Sequence, residues 1–161
     1  MSYIVIASML VALTAVAVFV PRIPAVLCGY AAMWVCKAGG VSWFGTDSLI
    51  FWGVATAIAL GITYLIPRQV AYSSVGVPFM AGGALAGTVL GMLSNTMAGI
   101  IAGAVAGALF GGIAFANTPA GRKVMRFPSA PFFNYLAAKG LPMAVALSMG
   151  AACAVQWLVV G

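Results

Sequence analysis

One carboxylate, no histidine and three cysteines are all that this 161-residue chain offers to acid–base, metal or thiol chemistry. General acid–base catalysis needs two titratable groups tuned apart, and Asp47 has no second carboxylate to work with. A Ser or Cys nucleophile needs a base beside it, and without histidine the usual one is missing. Cys28, Cys36 and Cys153 all lie in apolar runs with no CxxC spacing, which suits small packing residues rather than metal or redox chemistry. The run Gly82-Gly83-Ala84-Leu85-Ala86-Gly87 has the glycine density of a phosphate loop. It lacks the Lys-Ser/Thr ending and a preceding strand, so that reading is rejected. The expectation is a non-enzymatic protein with no catalytic residue, no metal and no cofactor.

Asp47 then reads as a helix cap. Thr46-Asp47-Ser48 stands immediately before a long apolar run, where a short oxygen-bearing side chain accepts from free N–H groups of the first turn. A proton or cation site is the alternative, and one carboxylate without a partner makes a relay hard to build. The seven basic residues carry the other chemical signal. Nucleic-acid binders gather such residues on a polar face. Here they fall in short breaks between apolar runs, as in loops that touch anionic lipid headgroups. Arg68, Arg122, Lys123 and Arg126 are the expected headgroup contacts. The last three are interleaved with Val124, Met125 and Phe127 and followed by Phe132, Phe133 and Tyr135, a mixture suited to a segment at the membrane surface. Membrane lipids are therefore the expected partner, and nucleic acid is not.

The elements that must position these residues are apolar throughout. Sixty-five per cent of the chain is hydrophobic and 5% charged, with a mean hydropathy of +1.18. Eight charges cannot cover a soluble core of this size, so lipid is the solvent for most of the surface. The N-terminus has no basic stretch ahead of its apolar run and no clear cleavage site, and it reads as a retained transmembrane segment. That run, 3–20, ends at Pro21-Arg22-Ile23-Pro24, where two prolines break the helix. Residues 25–36 follow, covering roughly 18 Å against a hydrocarbon core of ~30 Å. They form either a short span or a re-entrant half-helix. A full span is expected over 48–66. The Gly/Ala-rich runs 78–93 and 97–116 read as a helical hairpin closed by Ser94-Asn95-Thr96. A polar segment, 121–139, precedes a last span over 141–160. The expectation is an all-α polytopic membrane protein, one integral domain over 1–161 with about six membrane segments.

If residues 25–36 cross, Arg22, Arg68, Arg122, Lys123, Arg126 and Lys139 share one side, and Lys37 and Asp47 the other. The positive-inside bias makes the first set cytoplasmic. If they re-enter, the N-terminus changes side, and Arg68, Arg122, Lys123 and Arg126 stay inside.

Gly83, Gly87 and Gly91 recur every four residues, as do Gly99, Gly103, Gly107 and Gly111. Four residues turn a helix about 400°, so each series forms a stripe where another backbone can approach closely. Leu85, Val89 and Leu93, and Ile101, Val105, Leu109 and Ile113, lie about 200° away and are expected to face lipid. The stripes pack either on each other or on a second copy of the chain.

These features together resemble a family of small bacterial membrane proteins described only as domain of unknown function 456. The likeness rests on Pro21 and Pro24 after the first span with Gly29 following, on the paired glycine-zipper helices, and on Tyr135-Leu136-Ala137-Ala138-Lys139-Gly140 before the final span. Ala25 stands where the family pattern has glycine, and Asn117 lies where an acid is common. The resemblance implies a bacterial inner-membrane protein and no established activity. The functional expectation is a polytopic protein whose zipper helices drive tight packing or self-association. The alternative is a small transporter, channel or lipid translocase, suggested by the proline-broken short segment and a three-plus-three division of helices.

Overall fold

A computed structural model describes residues 2–20, 25–40, 45–65, 76–94, 96–124, 127 and 129–160. Among these no strand occurs. The helices are α1 (Ser2–Ala17), α2 (Ala25–Ala38), α3 (Thr46–Leu65), α4 (Val77–Met92), α5 (Met97–Ala116), α6 (Pro119–Val124), α7 (Ala130–Tyr135) and α8 (Leu141–Val160). A π-helical turn, Leu136–Gly140, joins α7 to α8 without a break. Three stretches are long and apolar enough to cross a membrane: Thr46–Leu65, Met97–Ala116 and Ala130–Val155. The apolar helices α1, α2 and α4 are shorter. The 14 residues of α2 reach about 21 Å, in keeping with the short segment expected there. The prolines Pro21 and Pro24 lie outside the described residues.

Polar residues at the helix ends act locally. Thr96 accepts a hydrogen bond from Gly99 N (3.1 Å) and caps α5, while Ser94 Oγ donates to Gly91 O (2.7 Å) at the end of α4. Thr118 does both tasks at once, donating to Phe115 O (2.6 Å) and accepting from Gly121 N (3.0 Å) where α5 gives way to α6. Each satisfies a backbone group that a helix end leaves open.

Helix α8 is the centre of the bundle. It packs against α1, α2, α3, α4 and α5, and its described side chains are buried or half-buried all round. Small residues allow this crowding: a Cβ on Gly29 of α2 would sit 3.2 Å from Ala146 O. The contacts also fix directions. Gly29 lies against Ala146 and Met149, and Cys36 faces Cys153, so α2 runs parallel to α8. Lys37 Nζ donates to Thr46 Oγ1 (3.4 Å) and Tyr30 Oη to Leu49 O (3.3 Å), so α3 runs back antiparallel. Ile100 packs with Ala151 and Val155, whereas Gly112 meets the ring of Phe132, so α5 is antiparallel to α8 as well.

The start of the last helix differs from expectation. Residues 121–139 read as a polar surface segment ahead of a span beginning near 141. Instead α7 and the π-turn extend α8 backwards, and Phe132, Tyr135, Ala138 and Lys139 are buried. Proline explains the irregularity. Pro142 has no N–H for the carbonyl of Ala138 and its ring crowds that carbonyl, so a regular α-turn cannot pass through. The chain answers by widening the preceding turn, with Leu141 N–H donating to Leu136 O five residues back.

Between α4 and α5 the two glycine series face each other. A Cβ on Gly87 would strike Gly103 O, one on Gly83 would strike Gly107 O, and one on Gly91 would strike Gly99 O. Gly111 meets the backbone at Phe79 and Met80 in the same way. The outward faces agree with expectation on α4, where Leu85, Val89 and Leu93 are exposed. On α5 only Val105 is; Ile101, Leu109 and Ile113 pack against the core, because α5 touches α8 as well as α4. This seam sets a stability test. Gly103→Leu or Gly107→Leu should abolish the compact fold in detergent, because the obstruction is backbone and cannot rotate aside. Val105→Leu, on the open face, should shift stability by less than about 0.5 kcal/mol. Melting and size-exclusion profiles of the three variants decide it, and equal behaviour of the glycine and valine variants would sink the two-faced description.

Candidate functional site

The helix directions sort the charged residues to two ends. One end gathers the C-termini of α3 and α5, the N-terminus of α4, and the short helix α6 with Arg122 and Lys123, both exposed. Gly76 (φ 74°), which opens α4, lies against the Phe115 ring at this end. The opposite end holds Lys37, with its ammonium 5.6 Å from the Trp34 ring centroid, and Asp47. Arg68 and Arg126 lie outside the described residues. Between the ends, exposed apolar side chains such as Val5, Leu13, Phe51, Ile58, Val89 and Phe110 cover the bundle.

Asp47 sits two positions inside its expected place. α3 begins at Thr46, Leu49 N already bonds to Gly45 O, and the exposed Asp47 carboxylate is in the first turn rather than at the cap. The negative charge therefore meets the positive end of the helix dipole. No group of three or more His, Cys, Asp or Glu is placed to hold a metal among the described residues. Cys36 and Cys153 are buried free thiols facing each other, and Cys28 is half-buried.

The residue that sequence reading assigned to a surface segment, Lys139, is the site's most unusual member. It is 6% exposed, on the π-turn, where the last helix packs against α3, α4 and α5. Five polar or charged side chains are buried among the described residues: Thr14, Thr56, Thr88, Lys139 and Ser148. Four are hydroxyls that donate to the carbonyl one turn back in their own helix: Thr14 to Leu10, Thr56 to Trp52, Thr88 to Ala84 and Ser148 to Ala144, at 2.7–2.8 Å. Lys139 Nζ has no hydrogen bond or ion pair among the described residues. On α3, Thr63 likewise donates to Ala59 O (2.9 Å). The signal for a built-in position was present in the sequence, as Lys139-Gly140 followed by Pro142 marks a helix irregularity. Reading that irregularity as a helix start hid the lysine's burial.

No family model, curated protein or solved structure matches the chain.

The position of Asp47 yields a discriminating measurement. Acting on the dipole, Asp47→Asn should cost about 0.3–1 kcal/mol at low ionic strength, and the loss should shrink as salt is added. An N-cap would tolerate Asn with no such loss. Thermal melting in low and high salt separates the two roles.

Proposed function

We propose that this chain is a non-enzymatic, multi-pass protein of a bacterial inner membrane, with six membrane segments and with Arg68, Arg122, Lys123 and Arg126 on the cytoplasmic side. The observation that carries this is the separation of charges. Arg122 and Lys123 lie at one end of the bundle, Lys37 and Asp47 at the other, and an apolar surface runs between. Alternating crossings of six helices generate that arrangement, and the positive-inside rule orients it. The short helix α2 then crosses as a full segment, its ends brought to the interface by local bilayer thinning. The bacterial assignment follows the resemblance to the uncharacterised family.

In this reading the glycine zipper is an internal seam that makes the subunit compact. Both glycine series are consumed between α4 and α5, so association with a second copy, where it occurs, uses other faces. The role is that of a rigid membrane scaffold. A second reading, a small transporter, channel or lipid translocase, is favoured by one observation: a lysine buried within the bundle. Ionisable groups inside membrane bundles are costly and mark ion or substrate paths.

Topology is directly measurable. In a background with Cys28, Cys36 and Cys153 replaced by alanine, Arg122→Cys and Lys123→Cys should resist an impermeant thiol reagent in intact cells and react after permeabilisation. Ser94→Cys, at the other end, should react in intact cells. The reverse pattern would overturn the orientation, and equal labelling at both ends would overturn the crossing.

A further inference from the structure

We propose that Cys36 and Cys153 form a modification site, in which a peroxide joins the two thiols as a disulfide that ties α2 to α8. No spacing motif links them in the sequence, and it is the fold that brings them together. Helices α2 and α8 run parallel and touch at Gly29, where a Cβ would stand 3.2 Å from Ala146 O and 3.4 Å from Met149 Cβ. Backbones approach this closely only where side chains are small. Cys36 stands seven residues beyond Gly29, and Cys153 seven residues beyond Ala146. Seven residues are close to two helical turns, so both cysteines return to the same seam in matching register. Ala32, buried between Gly29 and Cys36, keeps the helices close over that interval. The two thiols meet side chain to side chain, and both are free. A disulfide needs Cα atoms within roughly 7 Å and Cβ vectors that point together, the arrangement that a small-residue seam between parallel helices favours.

Oxidation there needs no ligand cavity, because the bond forms between side chains already in contact. The fold has also removed the entropy of bringing two distant parts of the chain together. Cys36 is the sulfur to react first: it is 3% exposed against 0% for Cys153, and it lies in the last turn of α2. Its sulfur attacks one oxygen of hydrogen peroxide, the O–O bond breaks, and the thiol proton leaves with the departing hydroxide as water. The product is a sulfenic acid on Cys36. The Cys153 sulfur then displaces the hydroxyl from the Cys36 sulfur, its own proton leaves with that hydroxyl as a second water, and the S–S bond forms. Two thiols lose two electrons, and one peroxide is reduced to two waters. Peroxide is small and uncharged, which suits a seam packed this closely. The closed bond joins α2, which packs on α1 and α3, to the helix at the centre of the bundle. It depends on the packing of α2 against α8 and not on orientation, scaffold role or transport, so it goes beyond both functional readings.

The test uses the full chain with Cys28→Ala, which leaves Cys36 and Cys153 as its only thiols. Folded, reduced protein in maltoside micelles is exposed to hydrogen peroxide at a dose that fully oxidises glutathione in the same micelles. It is then denatured in N-ethylmaleimide and weighed by mass spectrometry. Both thiols should carry maleimide before peroxide and neither after it. Dithiothreitol should restore both, and the oxidised chain should run as a monomer on a non-reducing gel. Diluting the protein about tenfold at constant peroxide should leave the rate unchanged, as for any reaction within one chain. Two maleimide adducts persisting after peroxide overturn the inference, as do thiols lost irreversibly or a disulfide joining two chains. With Cys153→Ser added, no ring can close, and dimedone should capture the sulfenic acid on Cys36. An untouched Cys36 in that protein would overturn its place as the first sulfur to react.

Discussion

Between Gly87 and Gly103 the backbones of α4 and α5 approach so closely that one methyl group would strike a carbonyl oxygen. In water such contact would be one contribution among many. In lipid it is decisive, because burying apolar side chains gains little when the surrounding solvent is itself hydrocarbon. What remains is packing, and packing is densest where side chains are absent. The same logic extends to α8. Its ring of neighbours is accommodated by Gly29, Ala32, Ala59, Ala81 and Ala84, all buried with little or nothing projecting from the backbone. Larger residues at those positions would push the outer helices away and open the centre.

That dense packing constrains the polar groups. Backbone donors and acceptors must be satisfied within each helix where no water reaches. The buried threonine and serine hydroxyls follow the same rule, with Thr14, Thr56, Thr88 and Ser148 each donating to a carbonyl of its own helix. Pro142 is where the rule is locally broken. It withdraws a donor, the preceding turn expands, and the helix continues with an altered register. One proline thus changes which residues of the longest helix face inward.

Much of the fold was legible before any coordinates. Apolar runs bounded by Pro, Gly and basic residues gave the helices, and the four-residue glycine period gave the α4–α5 contact, because only close approach explains glycine recurring in a helix where it is otherwise unfavourable. Which partner each stripe would meet was not legible. A stripe specifies a distance of approach and not an identity, so a second copy of the chain satisfies it as well as the neighbouring helix does. The outward face of α5 was misread for a related reason. Period alone divides a helix into two faces, whereas Ile101, Leu109 and Ile113 belong to a third surface created by α8. The candidate site was the least legible part. Basic residues near aromatic ones suggested a surface segment, and that reading suits the exposed Arg122, Lys123 and Phe133. It failed at Lys139, because the last span was read as beginning at 141, whereas the helix runs back through the π-turn to Ala130.

The failure at Lys139 connects the two constraints. Close packing shuts an ammonium away from bulk water, and the chain's one acidic side chain, Asp47, lies toward the opposite end of the bundle. A lysine on a regular helix near a membrane boundary would extend its stem and place its charge in the headgroup layer. Here the stem lies inside the bundle, where α3, α4 and α5 close around the π-turn. The glycine seam contributes to that closure, since it draws α4 and α5 together into one wall. Removing the charge, as in Lys139→Met, would relieve the cost of burying it with one residue change. The packing that closes the centre of the bundle is therefore the packing that shuts the Lys139 ammonium away from solvent.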